Sequence, residues 1–415
     1  MLEGKRIVVG VCGGIAAYKV ADLVSKLRQA GAVVDVILTE HAERFVSALT
    51  FSALSQRPVY SDLWEPTGEA AARHIELGRE ADLLLIAPAT ANTIARLAHG
   101  LANDLLTTVA LSTTAPLLLA PAMETHMYQH PATQTNLQLL AERGATILEP
   151  ESGRLASGEM GTGRLPETPR LLAAIGRTLG RRSGDLVGRR VVVTAGGTRE
   201  PLDPVRYIGN HSSGLMGFAL AEEARDRGAD TLLIVGAVSA PIPQGVEVKR
   251  VETTLELRDA TLATILDADA LVMAAAVADY RVERPATHKI KKGSADENAD
   301  GSLTLRLTPN PDILAEAQTL AETRHLTRLI RVGFAAETND VERNAAAKLR
   351  RKGLHMLVAN DVSEPESGFG VTTNRVSLFF EDGQVERLPL MAKTAVASVI
   401  WDRIAPLLAA AKTAH

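Results

Sequence analysis

Two widely separated stretches of the chain begin in the same way, and this repetition restricts the possible folds more than any other feature. Lys5-Arg6-Ile7-Val8-Val9-Gly10-Val11 runs into Cys12-Gly13-Gly14, and Arg189-Arg190-Val191-Val192-Val193-Thr194 runs into Ala195-Gly196-Gly197. Each is a charged lead-in, a short β-rich run without polar alternation, and a glycine turn. Such runs predict strands covered on both faces, as in parallel sheets. After the first turn, Val20, Leu23, Val24 and Leu27 fall at helical spacing and form one apolar stripe. The stripe stops at Gly31, a natural left-handed cap, and Gly144-Ala145 and Gly228-Ala229 repeat the punctuation. Strand, helix, capping glycine, strand describes βαβ units. The expected class is therefore α/β, with Rossmann-like doubly wound parallel sheets.

A chain of 415 residues exceeds what one core usually supports, so two domains are expected, residues 1–180 and 186–415. The polar, glycine-rich stretch Arg177–Gly188 predicts the linker between them. Further strands are expected at Leu83–Ala87, Leu117–Ala120, Leu232–Val235, Leu271–Ala275 and Ile330–Ala335. Residues 281–308, with Lys289-Ile290-Lys291-Lys292 and the acidic run to Asp300, break the rhythm and read as a flap.

The totals exclude several classes. A net charge of −4 without a basic stripe argues against nucleic acid as a partner. The lone Cys12 rules out an internal disulfide and fits a reducing compartment. Neither a signal-peptide pattern nor an apolar run of about 18 residues stands out, so a cytoplasmic protein with no membrane partner is expected. Aromatics make up only 3%, so the cores must rest on Val, Leu, Ile and Ala.

In the first half, Gly13-Gly14-Ile15 places two glycines where a strand turns into a helix, a geometry that presents free N–H groups to an anion. The spacing is not G-x-G-x-x-G, and a turn needed only for packing gives the same local pattern. Ala87-Pro88-Ala89-Thr90-Ala91-Asn92-Thr93 and Pro121-Ala122-Met123 follow two further strands. Together these loops mark the ligand crevice of an open sheet. His74, judged alone, reads more readily as a surface or packing residue.

Gly13–Lys19 (GGIAAYK), His74–Leu77 (HIEL), Ala87–Ala95 (APATANTIA) and Pro121–Tyr128 (PAMETHMY) resemble the flavin-containing cysteine decarboxylases, which are homo-oligomeric. Gly153–Arg164 (GRLASGEMGTGR) is similar to that family's substrate flap. The resemblance implies a flavodoxin-like domain that binds FMN through Gly13, Gly14, Ile15, Thr39, Thr90, Ala91, Asn92 and Met123. It implies His74 as the catalytic histidine and Gly158, Gly163 and Arg164 as flap residues. Glu124 stands where the family has asparagine, and Ser157 where it has a cysteine that helps reduce the intermediate. A hydroxyl is a far weaker acid than a thiol, so the missing proton is expected either from Glu124, held near neutral, or through Ser157 as a relay.

In the second half, Thr194–Pro201 is a glycine turn after a strand, and Asn210-His211-Ser212-Ser213-Gly214 precedes a helix expected near Leu215. That pattern serves helix capping and a phosphate cradle equally well. Ala274-Ala275-Ala276-Val277-Ala278-Asp279 is expected to end a buried strand in a carboxylate suited to Mg²⁺ on a triphosphate. Asn310-Pro311-Asp312-Ile313 reads as a turn into a helix, and Asn344, Lys348 and Lys352 share one helical face.

GGTREPLDPVRYIGNHSSG, AAAVADY, KIKK, NPDI, GFAAET and VANDV, in that order, resemble bacterial phosphopantothenoylcysteine synthetase. Across both halves the chain is similar to the fused bifunctional proteins of coenzyme A synthesis. That resemblance implies a CTP-dependent ligation of 4′-phosphopantothenate to cysteine through an acyl-cytidylate, then an FMN-dependent decarboxylation to 4′-phosphopantetheine. It assigns Lys289 to the nucleotide step and Asn210 to the acyl-cytidylate step. Ala274, Ala275, Ala276, Asp279, Asn310, Pro311, Asp312, Ile313, Phe334, Lys348 and Lys352 are implied CTP contacts, with Asp279 on Mg²⁺. Leu215 stands where a lysine is common.

Overall fold

The computed structural model describes residues 2–64, 73–291, 302–337, 341–361, 368 and 370–413, with backbone alone for 336, 337, 341–344, 361, 412 and 413. The chain divides into two compact units, Met1–Gly184 and Asp185–His415.

The first unit begins with β1 (Arg6–Val11), α1 (Ala17–Gln29), β2 (Val33–Leu38), α2 (Ala48–Ser55) and β3 (Val59–Tyr60). It continues through α3 (Arg73–Glu80), β4 (Leu83–Ala89), α4 (Ala91–His99), α5 (Leu105–Ser112) and β5 (Leu117–Pro121). Then come α6 (Thr125–Gln129), α7 (Pro131–Glu142), β6 (Thr146–Ile147), the hairpin β7 (Glu151–Arg154) and β8 (Met160–Arg164), and α8 (Thr168–Ser183). The six-stranded sheet has the order β3-β2-β1-β4-β5-β6 with every pair parallel. This is the dinucleotide-fold order. Without the short edge strand β3 it reduces to the flavodoxin-like order.

Alternation along each strand explains the layers. Ile7, Val9 and Val11 face α1, α2 and α8, where Val20, Leu23, Val24, Leu27, Phe51 and Ile175 close one core. Val8 and Cys12 face the other way, onto Leu77, Ile94, Leu106 and Leu137. The four stripe residues of α1 are fully buried, an upper-bound gain of about 1.5–3 kcal/mol each. The stretch expected as linker needs correction. Arg177–Ser183 is the end of α8, because Ile175 and Leu179 anchor that helix in the core despite its polar outer face.

The second unit starts with β9 (Arg190–Ala195), the hairpin β10 (Arg199–Pro201) and β11 (Tyr207–Gly209), α9 (Leu215–Asp226), β12 (Asp230–Val235) and β13 (Glu247–Arg250). Next are α10 (Thr254–Thr264), β14 (Ala270–Met273), β15 (Tyr280–Val282), β16 (Leu307–Pro309), α11 (Ile313–Thr323), β17 (Ile330–Glu337) and α12 (Val341–Arg351). It ends with β18 (Met356–Asp361), β19 (Thr373–Asn374), β20 (Val376–Phe380), β21 (Val385–Arg387), β22 (Met391–Ala392) and α13 (Lys393–Thr413). Its eight-stranded sheet runs β13-β12-β9-β14-β17-β18-β20-β21. The sheet is mixed: pairs from β13 to β18 are parallel, whereas β20 and β21 add an antiparallel edge.

Helices α9 and α13 cover one face, with Phe218, Val396, Ile400 and Trp401 in its core, and α10, α11 and α12 cover the other. Trp401 Nε1 donates to Leu220 O at 2.9 Å. By length and composition α13 could span a membrane, but this buried stripe makes it a core helix here. The expected flap is closed at its base by β15 pairing with β16, and residues 292–301 lie outside the described residues. Strand β14 ends at Met273, two residues before its expected end. There Ala275 N–H turns to Thr194 Oγ1 (3.1 Å) and Ala276 bridges to Gly197. Asp279 therefore sits in the following loop and not at a strand end.

Candidate functional site

In the first unit the sheet reverses its direction of growth between β1 and β4. The loops leaving β1, β2, β4 and β5 gather at this switch point, where open α/β sheets bind ligands. They are tied together: Thr39 N–H donates to Val11 O (3.0 Å) and Ala122 N–H to Ala89 O (3.1 Å). A Cβ on Gly14 would stand 4.0 Å from the Thr90 methyl, so the first and third loops adjoin. Among the described residues the N–H groups of Gly13, Gly14 and Ile15 meet no protein acceptor. Thr90 caps α4 alongside, its Oγ1 accepting from Thr93 N–H, with Ala91 and Asn92 opening that helix. Free amides at a helix start beside a second helix start fit a phosphate.

Cys12 lies beneath this turn, and burial pushes its thiol up to about 11 against the opposing contacts from Thr93 and Thr90. It is a packed thiol whose burial disfavours the thiolate. His74 sits half-buried in the first turn of α3, its carbonyl accepting from Ser112 Oγ (3.0 Å) and fastening α3 to α5. The residues just before Arg73 lie outside the described residues.

The β7–β8 hairpin packs on the start of α6. Met123 N–H donates to Gly163 O (3.0 Å), and a side chain on Gly163 would collide with Met123 O. A side chain on Gly161 would collide with Thr125 Oγ1, which is buried without a partner among the described residues. Ser157 and Gly158 form the exposed hairpin tip, where Gly158 N–H donates to Leu155 O (2.9 Å). Arg164 Nη2 reaches Glu167 Oε1 (3.3 Å), which also accepts from Lys19 Nζ (2.7 Å), so the hairpin base is held to α1.

The structure corrects the expectation for Glu124. The residue is the N-cap of α6 and accepts from His126 N–H (2.8 Å) and Met127 N–H (3.2 Å), with His126 Nδ1 at 2.9 Å. Desolvation pushes its pKa up, but these bonds outweigh that and leave it below the ordinary glutamate value. These contacts favour the ionised form of Glu124 over a carboxyl held neutral.

In the second unit the switch point lies between β9 and β14, and the loops there surround a cavity of about 730 Å³. Asn210, Ala274, Ala275, Ala276, Asp279, Asn310, Pro311, Asp312, Ile313, Phe334, Lys348 and Lys352 all line it, brought from three loops, the start of α11, β17 and the end of α12 with the turn after it. Gly214, at φ +83°, admits the turn into α9, and Ser212 Oγ accepts from its N–H (3.3 Å). Asn210 is aimed by its own amide, Nδ2 donating to Val277 O (2.9 Å). Lys352 pairs with Asp312 (3.0 Å), and Lys348 Nζ donates to Phe334 O (3.3 Å).

A buried relay supports the floor. Ala278 N–H donates to Thr198 Oγ1 (3.0 Å), and Thr254 Oγ1 lies 3.1 Å from Thr198 Oγ1 and 2.7 Å from Glu200 Oε1. Thr254 has a single hydroxyl proton. The carboxylate, an acceptor only, takes it, so Thr198 donates to Thr254. Asn310 Nδ2 donates to Thr254 Oγ1 (3.2 Å) and Ala278 O (2.9 Å), and Thr254 N–H to Glu200 (3.0 Å). Thr198, Glu200 and Thr254 are thus positioning residues for Asp279 and Asn310. Sequence reasoning missed them because the partners lie some fifty residues apart.

Lys289 is exposed and does not line the cavity. Its neighbour Ile290 is docked on the β10–β11 turn, N–H to Asp203 Oδ2 (3.2 Å) and O from Arg206 Nη2 (2.7 Å). The Arg206 guanidinium holds the buried Asp203 carboxyl well below the usual range. The side chain of Asn344 lies outside the described residues.

Residues 186–408 match the family described as DNA/pantothenate metabolism flavoprotein C-terminal domain, and residues 1–180 match the flavoprotein family. The coenzyme A biosynthesis bifunctional protein CoaBC of Vibrio cholerae is 47% identical over 403 residues, covering 97% of this chain and 98% of its own. The chain belongs to this bifunctional coenzyme A biosynthesis family. The Escherichia coli K12 relative of the same name is 46% identical, covering 97% of each chain. The Bacillus subtilis one is 45% identical, covering 98% of each. The protein is an enzyme with two activities, ligase and decarboxylase. Family membership accounts for two switch-point crevices in one chain, each built on its own sheet.

Proposed function

We propose that the first unit decarboxylates 4′-phospho-N-pantothenoylcysteine with FMN, and that the second makes this compound from 4′-phosphopantothenate, cysteine and CTP. The observation that carries the ligase reading is the cavity itself. It gathers an oriented amide (Asn210), a carboxylate (Asp279), and two lysines (Lys348 and Lys352) at one switch point. Two cations in a partly enclosed cleft neutralise phosphate charge as it develops, and an aimed amide suits a tetrahedral centre at the acyl carbon. Ala274–Ala276, Asn310–Ile313 and Phe334 offer backbone groups and a ring for the cytosine nucleotide. Lys289 reaches this site only if its docked segment delivers it.

No group of three metal-ligating side chains gathers among the described residues. With Asp312 paired to Lys352, the Asp279 carboxylate fits Mg²⁺ that arrives on the triphosphate and does not fit a resident metal centre. The free amides of Gly13–Ile15 and the Thr90 cap fit the FMN phosphate, with Thr39, Ala91, Asn92 and Met123 around the crevice. When bound, a flavin supplies oxidation of the substrate thiol. His74 lies on α3 to assist that step, and Ser157, Gly158, Gly163 and Arg164 form the covering hairpin. Ser157, as an exposed hydroxyl at its tip, is suited to relay a proton from water. A cytoplasmic homo-oligomer is the assembly this family reading supports. Incubation with phosphopantothenate, cysteine and CTP tests it: pyrophosphate release and a product lacking the carboxylate are expected. Absence of pyrophosphate sinks the ligase assignment.

A further inference from the structure

We propose that Lys393 is the cation of a second phosphate subsite in the ligase cavity, opposite Lys348 and Lys352. This rests on the ligase reading and deepens it. Lys393 opens α13 and is only 6% exposed, yet it lines the cavity. Its ammonium donates to Gly368 O (2.9 Å) and Val371 O (2.7 Å). An ammonium has three donors, and the third meets no acceptor among the described residues. No carboxylate pairs with it among them either, and burial holds its pKa below the ordinary lysine value. A buried cation without a counter-ion is costly. An incoming anion removes that cost.

The facing wall supplies the rest of the subsite. Ser212, Ser213, Met216 and Gly217 line the same cavity at the start of α9. The N–H groups of Met216 and Gly217 meet no protein acceptor among the described residues. Strands β19 and β22 pair Asn374 with Met391 beside Lys393, and Asn374 Nδ2 contacts Met216 Sδ at 4.0 Å, so α13 and α9 meet at this end. Lys393 and α9 come from one face of the sheet, whereas Lys348 and Lys352 come from the end of α12 and the turn after it on the other. The cavity therefore has two separate cationic ends. The reaction brings two separate phosphate groups, the phosphomonoester of the acid substrate and the nucleotide triphosphate. Either has the chemistry to fill the Lys393 end.

The test uses the full chain with Lys393→Met, Lys393→Arg and Ser213→Ala. Pyrophosphate release is followed while each substrate is varied. Lys393→Met is expected to raise KM for one phosphate-bearing substrate roughly tenfold to a hundredfold, the range for one lost charge-assisted bond. KM for cysteine should stay within about twofold, and Lys393→Arg should recover most of the loss. A rise for phosphopantothenate identifies the acid's phosphate as occupant, and a rise for CTP identifies the nucleotide's. A second arm reads the shift in thermal unfolding given by inorganic pyrophosphate and by inorganic phosphate, and should find it diminished in Lys393→Met. Ser213→Ala, remote from the Gly368–Val371 contacts, should raise the same KM if Lys393→Met does not fold. Unchanged KM values with an unchanged anion-induced shift overturn the proposal, leaving Lys393 a staple for the Gly368–Val371 segment. A wild type that releases no pyrophosphate defeats the ligase reading alone, because the anion-shift arm still decides Lys393.

Discussion

Thr254→Val is a sensitive probe of how the ligase cavity is held in shape. The substitution keeps the volume of a fully buried side chain and removes only its hydroxyl. That hydroxyl donates to the Glu200 carboxylate (2.7 Å) and accepts from Asn310 (3.2 Å) and Thr198 (3.1 Å). A bond to a charged group is worth about 1.5–3 kcal/mol and each of the two neutral ones about 0.5–1.5, so a loss of about 2.5–6 kcal/mol is expected. In a domain of this size each kcal/mol moves Tm by roughly 2–4 °C, which gives a fall of about 5–24 °C. Asn310 keeps its bond to Ala278 O (2.9 Å), so the site should loosen without collapsing. KM for CTP should rise about threefold to tenfold, with a smaller change in kcat. Thermal unfolding and pyrophosphate-release kinetics measure both, and Thr254→Ser, which retains the hydroxyl, should behave like wild type. A Tm within about 1 °C of wild type together with an unchanged KM would show that the relay holds nothing the nucleotide needs.

Asp203→Asn should release the Ile290 segment and lower ligase kcat/KM about tenfold while leaving decarboxylation unchanged, since Asp203 anchors Ile290 N–H and Arg206. An unchanged ligase rate would mean that Lys289 does not depend on this docking. Burial, and then the nearby Arg331, hold the His355 pKa below its ordinary 6.5, and its Nδ1 accepts from Arg331 N–H. The unfolded chain thus binds the proton more readily, so stability should be complete above about pH 6.5 and decline below it. His355→Gln should flatten that decline in pH-dependent denaturation, and a profile identical to wild type would refute the assignment. A fragment from residue 186 should fold and form phosphopantothenoylcysteine without flavin; a folded fragment that fails to do so would show that the ligase needs the first unit. Because Glu124 is an ionised cap, Glu124→Gln should leave the decarboxylase product unchanged in mass. A product lighter by two hydrogens would restore Glu124 as the acid.

The parts of the fold legible in the sequence are those where both faces of a strand are buried. Val191-Val192-Val193 must read as an unbroken apolar run because Val191 and Val193 face one helix layer and Val192 the other. The same rule hides β20. Its Val376-Ser377-Leu378-Phe379-Phe380 lies beyond the parallel strands in the antiparallel edge of the sheet, where no βαβ rhythm announces it. Arg177–Ser183 misled for the opposite reason, since a helix that buries one stripe leaves enough polar surface to resemble a linker.

The candidate sites divide along similar lines. Glycine turns were legible because the backbone geometry that an anion needs leaves its mark on residue type: Gly14 lies open towards Thr90, and Gly214 takes a left-handed conformation. A charged side chain leaves no such mark, since its role depends on what surrounds it. Glu124 has the composition of a proton donor, yet the start of α6 supplies two amides and a histidine that favour its ionised form. Lys393 has the composition of an ordinary solvated lysine at the start of an apolar helix, yet the pairing of β19 with β22 carries it inward, where, among the described residues, carbonyls alone accept from it. Both cases have one cause. The charge state and reach of a side chain are set by contacts distant in sequence, so a motif shows where chemistry gathers before it shows which group performs it.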